Sequence, residues 1–550
     1  MQRFFGQYIH YFALLLAIGI LAWNNVEIHY HVNTPANWIQ DGTLVQPTFS
    51  PNTWTLDDAY ISMRYAENFA NGHGIRFNPG EKPVEGYTTF LWVFLMGIGH
   101  VLGAPLPILA KALGAAFTLG TLLLLTFTHR FIPGASPRIS ALAVLMLGSS
   151  GMFSLWSLSS MEVPMVAFWT VLAVFLHLNS REKPYSLIRI TLTALACALV
   201  ALSRPEMIII FLLCFLERFY CSVKDRDLNF FYFGLLFTTF FLPFLVWRFW
   251  YYGYWVPNTF YAKVGENYLI QAQRGLGYLA NFVNAAFLIL APAITGFFMS
   301  DALRQRFISV GILGTIILVD MAYVITVGGD IMPASRFLVP FLPLLCILAA
   351  LTLGLLVRPA PRITLVILLI ITYNQFQFYN APDQKQRTDK GSVGRHGELV
   401  GRWMKDNFPE DALLATNTAG SIPFYSKLKC IDMLGLNDEH IAHRDIKSVG
   451  TGHLGHEKGD GKYVLDQKPD YIQFGSASGA INPGSFRGDR EIYRDPRFKK
   501  YYTLKNYTIP GGRRLAIYER NPEGIINIEP VPAKPGKKKP RPNSKPEATE

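Results

Sequence analysis

The chain has 550 residues, of which 50% are apolar and only 16% are charged, and its formal net charge is +12. The apolar residues form runs of about twenty, long enough to cross a hydrocarbon core roughly 30 Å thick, which excludes a soluble globular protein and indicates a polytopic membrane protein. The basic residues stand in short loops between these runs, where they set orientation, so the positive charge argues against a nucleic-acid partner.

Hydropathy predicts about eleven membrane spans. The first covers residues 4–23. No small-residue cleavage site follows it, so it is interpreted as an uncleaved span rather than a signal peptide. The other ten are predicted at residues 106–128, 139–157, 161–180, 188–202, 206–221, 229–250, 277–299, 305–327, 337–357 and 363–379.

The distribution of basic residues predicts which loops share a side of the membrane. Basic residues recur in alternate loops, which places those loops and the short amino terminus in the cytoplasm. Only one crossing then fits between residues 24 and 129, so the apolar segment 89–103 is predicted to be an interfacial helix. The opposite loops face outward together: 24–88, the segment around Glu162, 203–206, 251–276, 328–336 and the chain after residue 380.

The last third of the chain has a different composition. Residues 381–522 contain strand-like pieces such as YIQFG and RRLAIYER between Gly, Pro and Asp turns. This pattern predicts a small α/β domain, which follows a transmembrane unit over residues 1–380. Residues 523–550 are rich in Pro and Lys and lack aromatic residues. Such a segment cannot bury a core, so a disordered tail is expected.

Two adjacent carboxylates, Asp57 and Asp58, precede Ile61, Tyr65 and Phe69, which have helical spacing. A carboxylate at a helix amino terminus is stabilised by free backbone amides, so one interpretation is a helix cap. The other is that one carboxylate takes a proton from an incoming hydroxyl, or holds a cation, at a water-accessible face of the membrane. The pair alone leaves both interpretations open.

Three further acids stand at span ends on the predicted outer side. Glu85 precedes the interfacial segment and is either a solvated cap or a functional group. Glu162 lies at the edge of a span, where an acid is costly unless it is paired or lines a cavity. Glu206 and Arg204 flank a proline at an outward turn, where they could simply pair with each other.

Basic groups also occur at the predicted outer surface. Lys263 and Arg336, the latter close to Asp330, stand where an anionic lipid phosphate would need cations. A single arginine beside a span is more often a headgroup anchor, and only the convergence of these loops on one face strengthens a phosphate site. The spacing of His453 and His456 does not make a metal set, and these residues are interpreted as surface histidines.

The motifs along the chain resemble a known family. They are DDAYISMRYAENFANGHGIRFNPGEKPVEGYTTFLW, SMEVPM, LSRPEM, YWVPNTFYAKV, GGDIMPASRFLVPFLP and NTAGSIPFYSKLKCIDMLGLND. Together they resemble the GT-C-type glycosyltransferases, specifically the terminal β-1,2-arabinofuranosyltransferases of actinobacterial cell-wall assembly and their bacterial relatives. The resemblance implies a polytopic α-helical membrane protein with a key acid in the first extracytoplasmic loop and a small extracytoplasmic α/β domain.

The resemblance also implies a reaction. A sugar, arabinofuranose or similar, would pass from a polyprenyl-phosphate donor to a cell-envelope glycan or glycoprotein on the outer face of the bacterial cytoplasmic membrane. Asp57 or Asp58 would be the general base of a single inverting displacement. Lys263 and Arg336, and more weakly Arg204, would hold the donor phosphate. No cofactor is firmly implied, although Mg²⁺ or Mn²⁺ is a candidate without assigned ligands.

By the same resemblance, a set of polar residues would contact the substrates, with the last four offering acceptor contacts from the outer domain. These residues are Arg64, Glu85, Tyr87, Glu162, Glu206, Asn258, Asp330, Asn417, Asp432, Asn437 and Asp438. The basic tail and the compact outer domain depart from the family pattern, which leaves the acceptor open among a cell-wall glycan, lipopolysaccharide, a capsule and a pilin.

A transporter or flippase of lipid-linked sugars is the alternative. It would also be polytopic, but it should carry acids and broken helices near the middle of the bilayer. The polar motifs here stand at span ends on one side, which favours an enzyme.

Overall fold

A computed structural model describes residues 2–33, 39–40, 43–44, 55–181, 185–263, 268–299, 307–357, 359–377, 392–446, 455–510 and 512–523. The predicted disordered tail and the predicted domain boundary near residue 381 lie outside these ranges and stay predictions.

The first part of the chain is helical, apart from a short antiparallel pair of strands, β1 (Ile39–Gln40) and β2 (Thr43–Leu44). The helices are α1 (Gln2–Asn33), α2 (Asp57–Ala70), α3 (Phe90–Val101), α4 (Leu106–Thr126), α5 (Thr128–Phe131), α6 (Pro137–Gly148), α7 (Gly151–Ser157), α8 (Val163–Ser180), α9 (Leu187–Ser203), α10 (Ile208–Asp225), α11 (Asn229–Tyr252), α12 (Asn258–Lys263), α13 (Tyr268–Met299), α14 (Phe307–Val327), α15 (Leu342–Leu356) and α16 (Pro361–Gln377). Short 3₁₀ helices at Pro205–Met207 and Val339–Phe341 lead into α10 and α15.

Six of the described helices are long and apolar enough to cross a membrane. They contain Gln7–Val26, Leu106–Thr126, Val163–Ser180, Asn229–Tyr252, Tyr268–Thr295 and Val339–Leu356, and the pair α6 and α7, bent by 67°, would make a seventh span. Helices α9 and α14 are apolar but shorter in their described parts. Each segment predicted as a span coincides with a helix, so the polytopic membrane fold is confirmed, while eleven crossings stay a prediction.

The structure corrects three predicted boundaries. Helix α1 continues to Asn33, so the predicted loop 24–88 begins inside a helix. The predicted outward loop 251–276 contains α12 and the first turns of α13. The predicted span 139–157 is broken where the Ser150 side chain caps α7 by accepting a hydrogen bond from the Phe153 amide. Hydropathy misses such features because it marks the apolar part of a helix and not its polar ends.

Helix α3 corresponds to the segment predicted to be interfacial. Its 12 residues extend over only about 18 Å at 1.5 Å per residue, too short for the hydrocarbon core. It packs against α2 so closely that a Cβ at Gly97 would lie 2.4 Å from the Phe69 ring. The two helices therefore form one layer, and its location at the membrane surface stays a prediction.

The carboxy-terminal part forms an α/β domain around a five-stranded sheet of order β4-β3-β5-β7-β6. Its elements are α17 (Ser392–Asn407), β3 (Leu413–Thr416), α18 (Ser421–Ser426), β4 (Lys429–Asp432), α19 (Glu439–His443), α20 (Gly461–Asp466), β5 (Tyr471–Gln473), α21 (Arg487–Arg494), α22 (Pro496–Tyr501), β6 (Tyr502–Ile509) and β7 (Arg513–Arg520). Strand β3 is parallel to β4 and β5, and β7 is antiparallel to β5 and β6. Apolar clusters cover both faces of the sheet.

This domain is docked onto the transmembrane unit through a shared core. Phe424, Tyr425 and Leu436 belong to the same cluster of buried apolar residues as the transmembrane helices. Helix α18, which follows β3, packs against α2. The carboxyl ends of β3 and β4 therefore face the loops of the helical unit that were predicted to face outward.

Candidate functional site

A cavity of about 390 Å³ lies where the predicted outward loops meet the carboxy-terminal domain. This volume is within the range of small-molecule sites. The lining comes from the start of α2, residues 86–89, 161–162, 204–206, 256–263, 323–337, and positions 436, 455 and 456 of the carboxy-terminal domain. Segments far apart in the chain thus converge on one space, and most of them contribute polar side chains.

One wall of the cavity holds a buried cluster of three charges. Arg204 donates from Nη1 to Glu162 Oε1 at 2.9 Å and from Nε to Glu206 Oε1 at 2.5 Å. All three side chains are at most 11% exposed. Burial lowers the pKa of Arg204, but the carboxylates of Glu206 and Glu162 outweigh it and raise the pKa above its ordinary value. The predicted pairing of Arg204 with Glu206 is present, and Glu162 joins it.

A second ion pair stands next to this cluster. Arg336 Nε lies 2.6 Å from Asp330 Oδ2, with both side chains at most 8% exposed. The ring of Phe337 lies between two guanidinium groups, with its centroid 4.6 Å from Arg204 Cζ and 5.3 Å from Arg336 Cζ. Burial lowers the pKa of Arg336, and the carboxylate of Asp330 more than offsets this effect. The sequence analysis missed Phe337, although it directly follows an arginine of a motif.

The loop that presents Arg336 has an unusual backbone. Ala334 and Ser335 adopt left-handed conformations with φ of 52° and 51°. Non-glycine residues pay roughly 1–2 kcal/mol for this region, and such strain concentrates at functional sites. Ser160, two residues before Glu162, has a φ of 65°. The loops around the cavity are therefore held in shape by tertiary packing rather than by local preference.

Two charged groups in the cavity lack an ion-pair partner within the described part of the chain. They are the carboxylate of Asp58, in the first turn of α2, and the ammonium of Lys263, the last residue of α12. The remaining cavity carboxylates are engaged with arginines. A negative group able to accept a proton and a positive group able to bind an anion thus share one space.

Asp57 lies beside Asp58 but outside the cavity lining. Its Oδ2 accepts a hydrogen bond from the Gly420 amide at 3.0 Å, and its Oδ1 accepts from the Ser421 amide at 2.8 Å and from the Ser421 hydroxyl. Burial raises the pKa of Asp57, and these hydrogen bonds oppose that rise. Neither aspartate is the N-cap of α2, which is Leu56. The helix-cap interpretation is wrong in that detail, because both acids occupy the first helical turn.

Three further residues predicted to contact substrate are Tyr87, Glu85 and Asn258. Tyr87 lines the cavity, and its hydroxyl is 3.0 Å from that of Tyr252. Glu85 is buried and accepts from Arg248 Nε at 2.7 Å. Burial raises the pKa of Glu85 to about 7 although Arg248 lowers it. Asn258 is buried and donates to carbonyls of the carboxy-terminal domain. Glu85 and Asn258 are outside the lining of this cavity.

Arg64 also lies away from the cavity. Its guanidinium donates to the carbonyl oxygens of Phe77 at 2.7 Å, Leu428 at 2.8 Å and Pro423. Burial lowers the pKa of Arg64. This side chain joins the helical unit to the carboxy-terminal domain.

The four predicted acceptor residues of the carboxy-terminal domain are occupied by hydrogen bonds to other residues of the protein. Asn417 donates to Asp489 at 2.8 Å, and Asp432 accepts from the Asn437 amide at 2.8 Å. Asn437 Oδ1 accepts from the Tyr65 hydroxyl, and Asp438 caps α19. Their role as acceptor ligands stays a prediction that these placements do not favour. His456, interpreted from the sequence as a surface residue, lines the cavity instead.

A divalent cation requires several free oxygen ligands around one point. In the described ranges the arginines already engage the cavity carboxylates other than Asp58, and there is no group of three or more His, Cys, Asp or Glu side chains arranged to hold a metal ion. The described residues of the cavity therefore do not fit a bound divalent cation.

Comparisons of sequence agree with this architecture. Residues 384–518, which cover most of the carboxy-terminal domain, match a family model described as a domain of unknown function, DUF8728. The terminal β-(1→2)-arabinofuranosyltransferase of Mycobacterium tuberculosis (strain ATCC 25618 / H37Rv) is 25% identical over 260 residues, which are 44% of this chain and 39% of that protein. The match thus spans about two fifths of the curated relative.

Solved structures give a broader match. ArnT from Cupriavidus metallidurans in the apo state has a TM-score of 0.55 at 13% identity, covering 91% of this chain and 97% of ArnT. The same protein bound to undecaprenyl phosphate has a TM-score of 0.57 at 12% identity. The oligosaccharyltransferase AglB from Archaeoglobus fulgidus, in complex with an inhibitory peptide and a dolichol-phosphate, has a TM-score of 0.54 at 14% identity over 95% of this chain and 75% of AglB. The chain therefore has the GT-C fold, as the sequence motifs predicted.

Proposed function

We propose that the protein is a glycosyltransferase that moves a sugar from a polyprenyl-phosphate donor to a hydroxyl of a cell-envelope acceptor. The observation that carries the proposal is the presence, in one cavity of the GT-C fold, of a carboxylate, Asp58, and a cation, Lys263, neither of which has an ion-pair partner among the described residues. An ArnT structure of this fold holds undecaprenyl phosphate, and AglB holds a dolichol-phosphate, which supports a lipid-phosphate donor.

The proposed reaction is a single displacement at the anomeric carbon. The acceptor oxygen forms a bond to that carbon while the bond from the carbon to the phosphate oxygen breaks, and the bonding electrons leave with the polyprenyl phosphate. Asp58 takes the proton of the acceptor hydroxyl, which makes the oxygen a better nucleophile. Lys263 and Arg336 stabilise the charge that grows on the departing phosphate.

The geometry supports different tasks for the two arginines. Arg336 faces one carboxylate, Asp330, whereas Arg204 is held by two, Glu162 and Glu206. The Arg204 cluster carries a net negative charge and would repel a phosphate. We therefore assign Arg204 to orienting Glu162 and Glu206. The second oxygen of each carboxylate then accepts hydrogen bonds from sugar hydroxyls.

The choice of Asp58 over Asp57 as the base depends on access. Both oxygens of Asp57 already accept hydrogen bonds from residues 420 and 421. A base must come within hydrogen-bond distance of the proton that it takes. Asp58 lines the cavity, where an acceptor hydroxyl could approach it, which supports its assignment as the base.

The donor sugar is proposed to be arabinofuranose or a similar pentose, on the partial match to the arabinofuranosyltransferase. The proposed location is the bacterial cytoplasmic membrane, with the cavity and the carboxy-terminal domain on the outer side. The basic loops at the opposite helix ends support this orientation.

A transporter of lipid-linked sugars is the competing function. The charged residues of the cavity stand at helix ends and in loops, as an enzyme at the membrane surface requires. Among the described residues of α14, Asp320 is a buried acid within a helix, which is the feature that a transporter would use. The test below therefore measures bond formation and translocation separately.

The test uses purified full-length protein in liposomes that contain polyprenyl-phosphate arabinofuranose, with glycan acceptors supplied outside. Mass spectrometry should detect a glycosylated acceptor and free polyprenyl phosphate in equal amounts. Asp58→Asn should lower the rate about 10²–10⁴-fold, the usual contribution of a general base. Binding of undecaprenyl phosphate should be unchanged in this variant.

The acceptor is identified in the cell. Mass spectrometry of surface glycans from a deletion strain should show one missing terminal sugar. Movement of lipid-linked sugar across the liposome membrane without any glycosidic bond formed would replace the enzyme proposal with a transporter. Full transfer by Asp58→Asn would refute the base assignment.

A further inference from the structure

We propose that the carboxy-terminal domain is a working part of the catalytic cavity, in which Asp57 and Asn258 are positioning residues that hold Asp58 and Lys263 in place. This inference rests on the proposed function and adds to it a role for a domain whose family model has no assigned function. Asp58 and Lys263, the two cavity charges without an ion-pair partner in the described ranges, are each tied to that domain by a separate contact.

The first contact joins the start of α2 to the start of α18. Asp57 accepts from two backbone amides and one hydroxyl at residues 420 and 421. The approach leaves no room for a side chain, because a Cβ at Gly420 would lie 1.9 Å from the Asp57 carbonyl oxygen. A Cβ at Gly394 in α17 would lie 2.2 Å from the Thr55 carbonyl oxygen. The backbone that carries Asp58 is therefore clamped by two helices of the carboxy-terminal domain.

The second contact joins α12 to the segment before α19. Asn258, the first residue of α12, donates from Nδ2 to the carbonyl oxygens of Gly435 at 2.9 Å and Leu436 at 3.0 Å. The ring of Tyr261 packs on that of His443 with centroids 4.1 Å apart. Helix α12 has 6 residues, so fixing its first residue fixes its last, Lys263.

The side chain of Lys263 has a direct contact as well. A Cβ at Gly455 would lie 3.5 Å from Lys263 Cε and Cγ, so the backbone of the carboxy-terminal domain runs alongside the lysine stem. Lys263 and Gly455 both line the cavity, so this part of the carboxy-terminal domain borders the lysine where it meets the site.

The consequence is that domain docking sets the relative position of the base and the phosphate-binding cation. Asp58 belongs to the helical unit through α2, and Lys263 belongs to it through α12. Misplacement of a catalytic group by about 1 Å can lower a rate by about 10²-fold. Loss of the Asp57 contact should therefore impair proton transfer to Asp58 and spare phosphate binding. Loss of the Asn258 contact should weaken phosphate binding and affect proton transfer less.

The experiment compares Asp57→Asn and Asn258→Leu in the full-length protein. Asp57→Asn places an NH2 group, which donates hydrogen bonds, where a carboxylate oxygen accepts them. The variant should displace Asp58 and lower kcat at least about tenfold. Its affinity for undecaprenyl phosphate should stay within about twofold of wild type, a change below 0.5 kcal/mol. Asn258→Leu keeps the branched shape and the number of side-chain heavy atoms but removes the donor, and should weaken undecaprenyl phosphate binding about tenfold while lowering kcat less.

Matched controls break other contacts between the helical unit and the carboxy-terminal domain. Lys427→Ala removes an ion pair with Glu67 at the far ends of α18 and α2, and Lys82→Ala removes one with Glu439 at the start of α19. Neither lysine lines the cavity. Both variants should keep kcat and undecaprenyl phosphate affinity within about twofold, because exposed ion pairs contribute little.

The inference would be overturned if a positioning variant and its control lost activity equally. It would also be overturned if both positioning variants lost kcat and affinity to the same extent. Either result would show a general weakening of the contact between the two units. If Asp57→Asn does not fold, Ser421→Ala removes one of the three hydrogen bonds and should lower kcat a fewfold without changing affinity. A wild-type protein that transfers no sugar would refute the proposed function alone. Two measurements would still test the positioning roles in that case. Amide exchange at residues 57–62 should be faster in Asp57→Asn but not in Lys427→Ala, and Asn258→Leu should still bind undecaprenyl phosphate more weakly.

Discussion

Replacing Arg204 tests whether the charges on the cavity wall are held in place by one another. The guanidinium contacts Glu162 Oε1 at 2.9 Å and Glu206 Oε1 at 2.5 Å, and all three side chains are largely buried. Arg204→Met keeps a long side chain of similar reach but removes the charge. Two buried carboxylates then remain next to each other with no cation between them.

The expected cost follows from this arrangement. Removing one partner of a buried ion pair costs about 3–5 kcal/mol, because the other charge remains buried without compensation. Arg204→Met exposes two carboxylates to this penalty, so a loss of at least about 4 kcal/mol is expected. Glu206→Gln leaves Arg204 paired with Glu162 and should cost only about 1–2 kcal/mol. The exposed pair of Lys82 with Glu439 should contribute less than about 1 kcal/mol.

The assay is thermal unfolding of the purified variants in detergent at pH 7. The midpoints should rank wild type close to Lys82→Ala, then Glu206→Gln, then Arg204→Met. A triple variant in which Glu162 and Glu206 are also replaced by Gln should recover much of the loss, because no uncompensated charge remains. A triple variant no more stable than Arg204→Met would refute the electrostatic reasoning and assign the loss to packing alone.

Three further predictions concern the carboxy-terminal domain and its docking. A Cβ at Gly86 would lie 1.9 Å from Asn437 Oδ1, so Gly86→Ala should speed proteolysis between the two units, while Gly277→Ala, with no atom within 4 Å of its Cβ, should not. Lys468 is exposed with a φ of 51°, so Lys468→Gly should stabilise the domain by about 0.5–1 kcal/mol, seen as slower amide exchange in β5. Burial raises the pKa of Asp489 to about 6, so the folded domain binds this proton more tightly than the unfolded chain and its stability should fall as the pH rises from about 4 to about 6. Asp489→Asn should flatten that fall, and an unchanged slope of amide-exchange stability against pH would contradict the assignment.

The sequence was sufficient for the architecture because the relevant signals are local. An apolar run that must satisfy its own backbone hydrogen bonds in lipid becomes a helix, whatever its neighbours are. Each predicted span coincides with a helix in the structure, and the strand-like pieces YIQFG and RRLAIYER contain β5 and β7. The charge pattern of the loops also predicted that Glu162, Glu206 and Arg336 share one face, and they share one cavity.

Other features depend on contacts between distant segments and could not be read locally. Closeness in sequence predicted one ion-pair partner for Arg204, which is Glu206. The second partner, Glu162, is 42 residues away in the chain. Asn258 looked like a substrate ligand within a motif, yet its amide binds carbonyls at residues 435 and 436. His456 carried no signal for a cavity, because its placement depends on how the carboxy-terminal domain docks.

Asp57 and Asp58 show the difference between what the sequence determines and what the tertiary structure decides. The sequence by itself determined that Asp57 and Asp58 begin an amphipathic helix, because spacing and composition are properties of a short segment. It could not separate their roles, since neighbouring helical residues point about 100° apart and either could face the cavity. Only the tertiary structure decided this. Docking of a domain 363 residues away places the Gly420 amide on Asp57 and leaves Asp58 directed into the cavity.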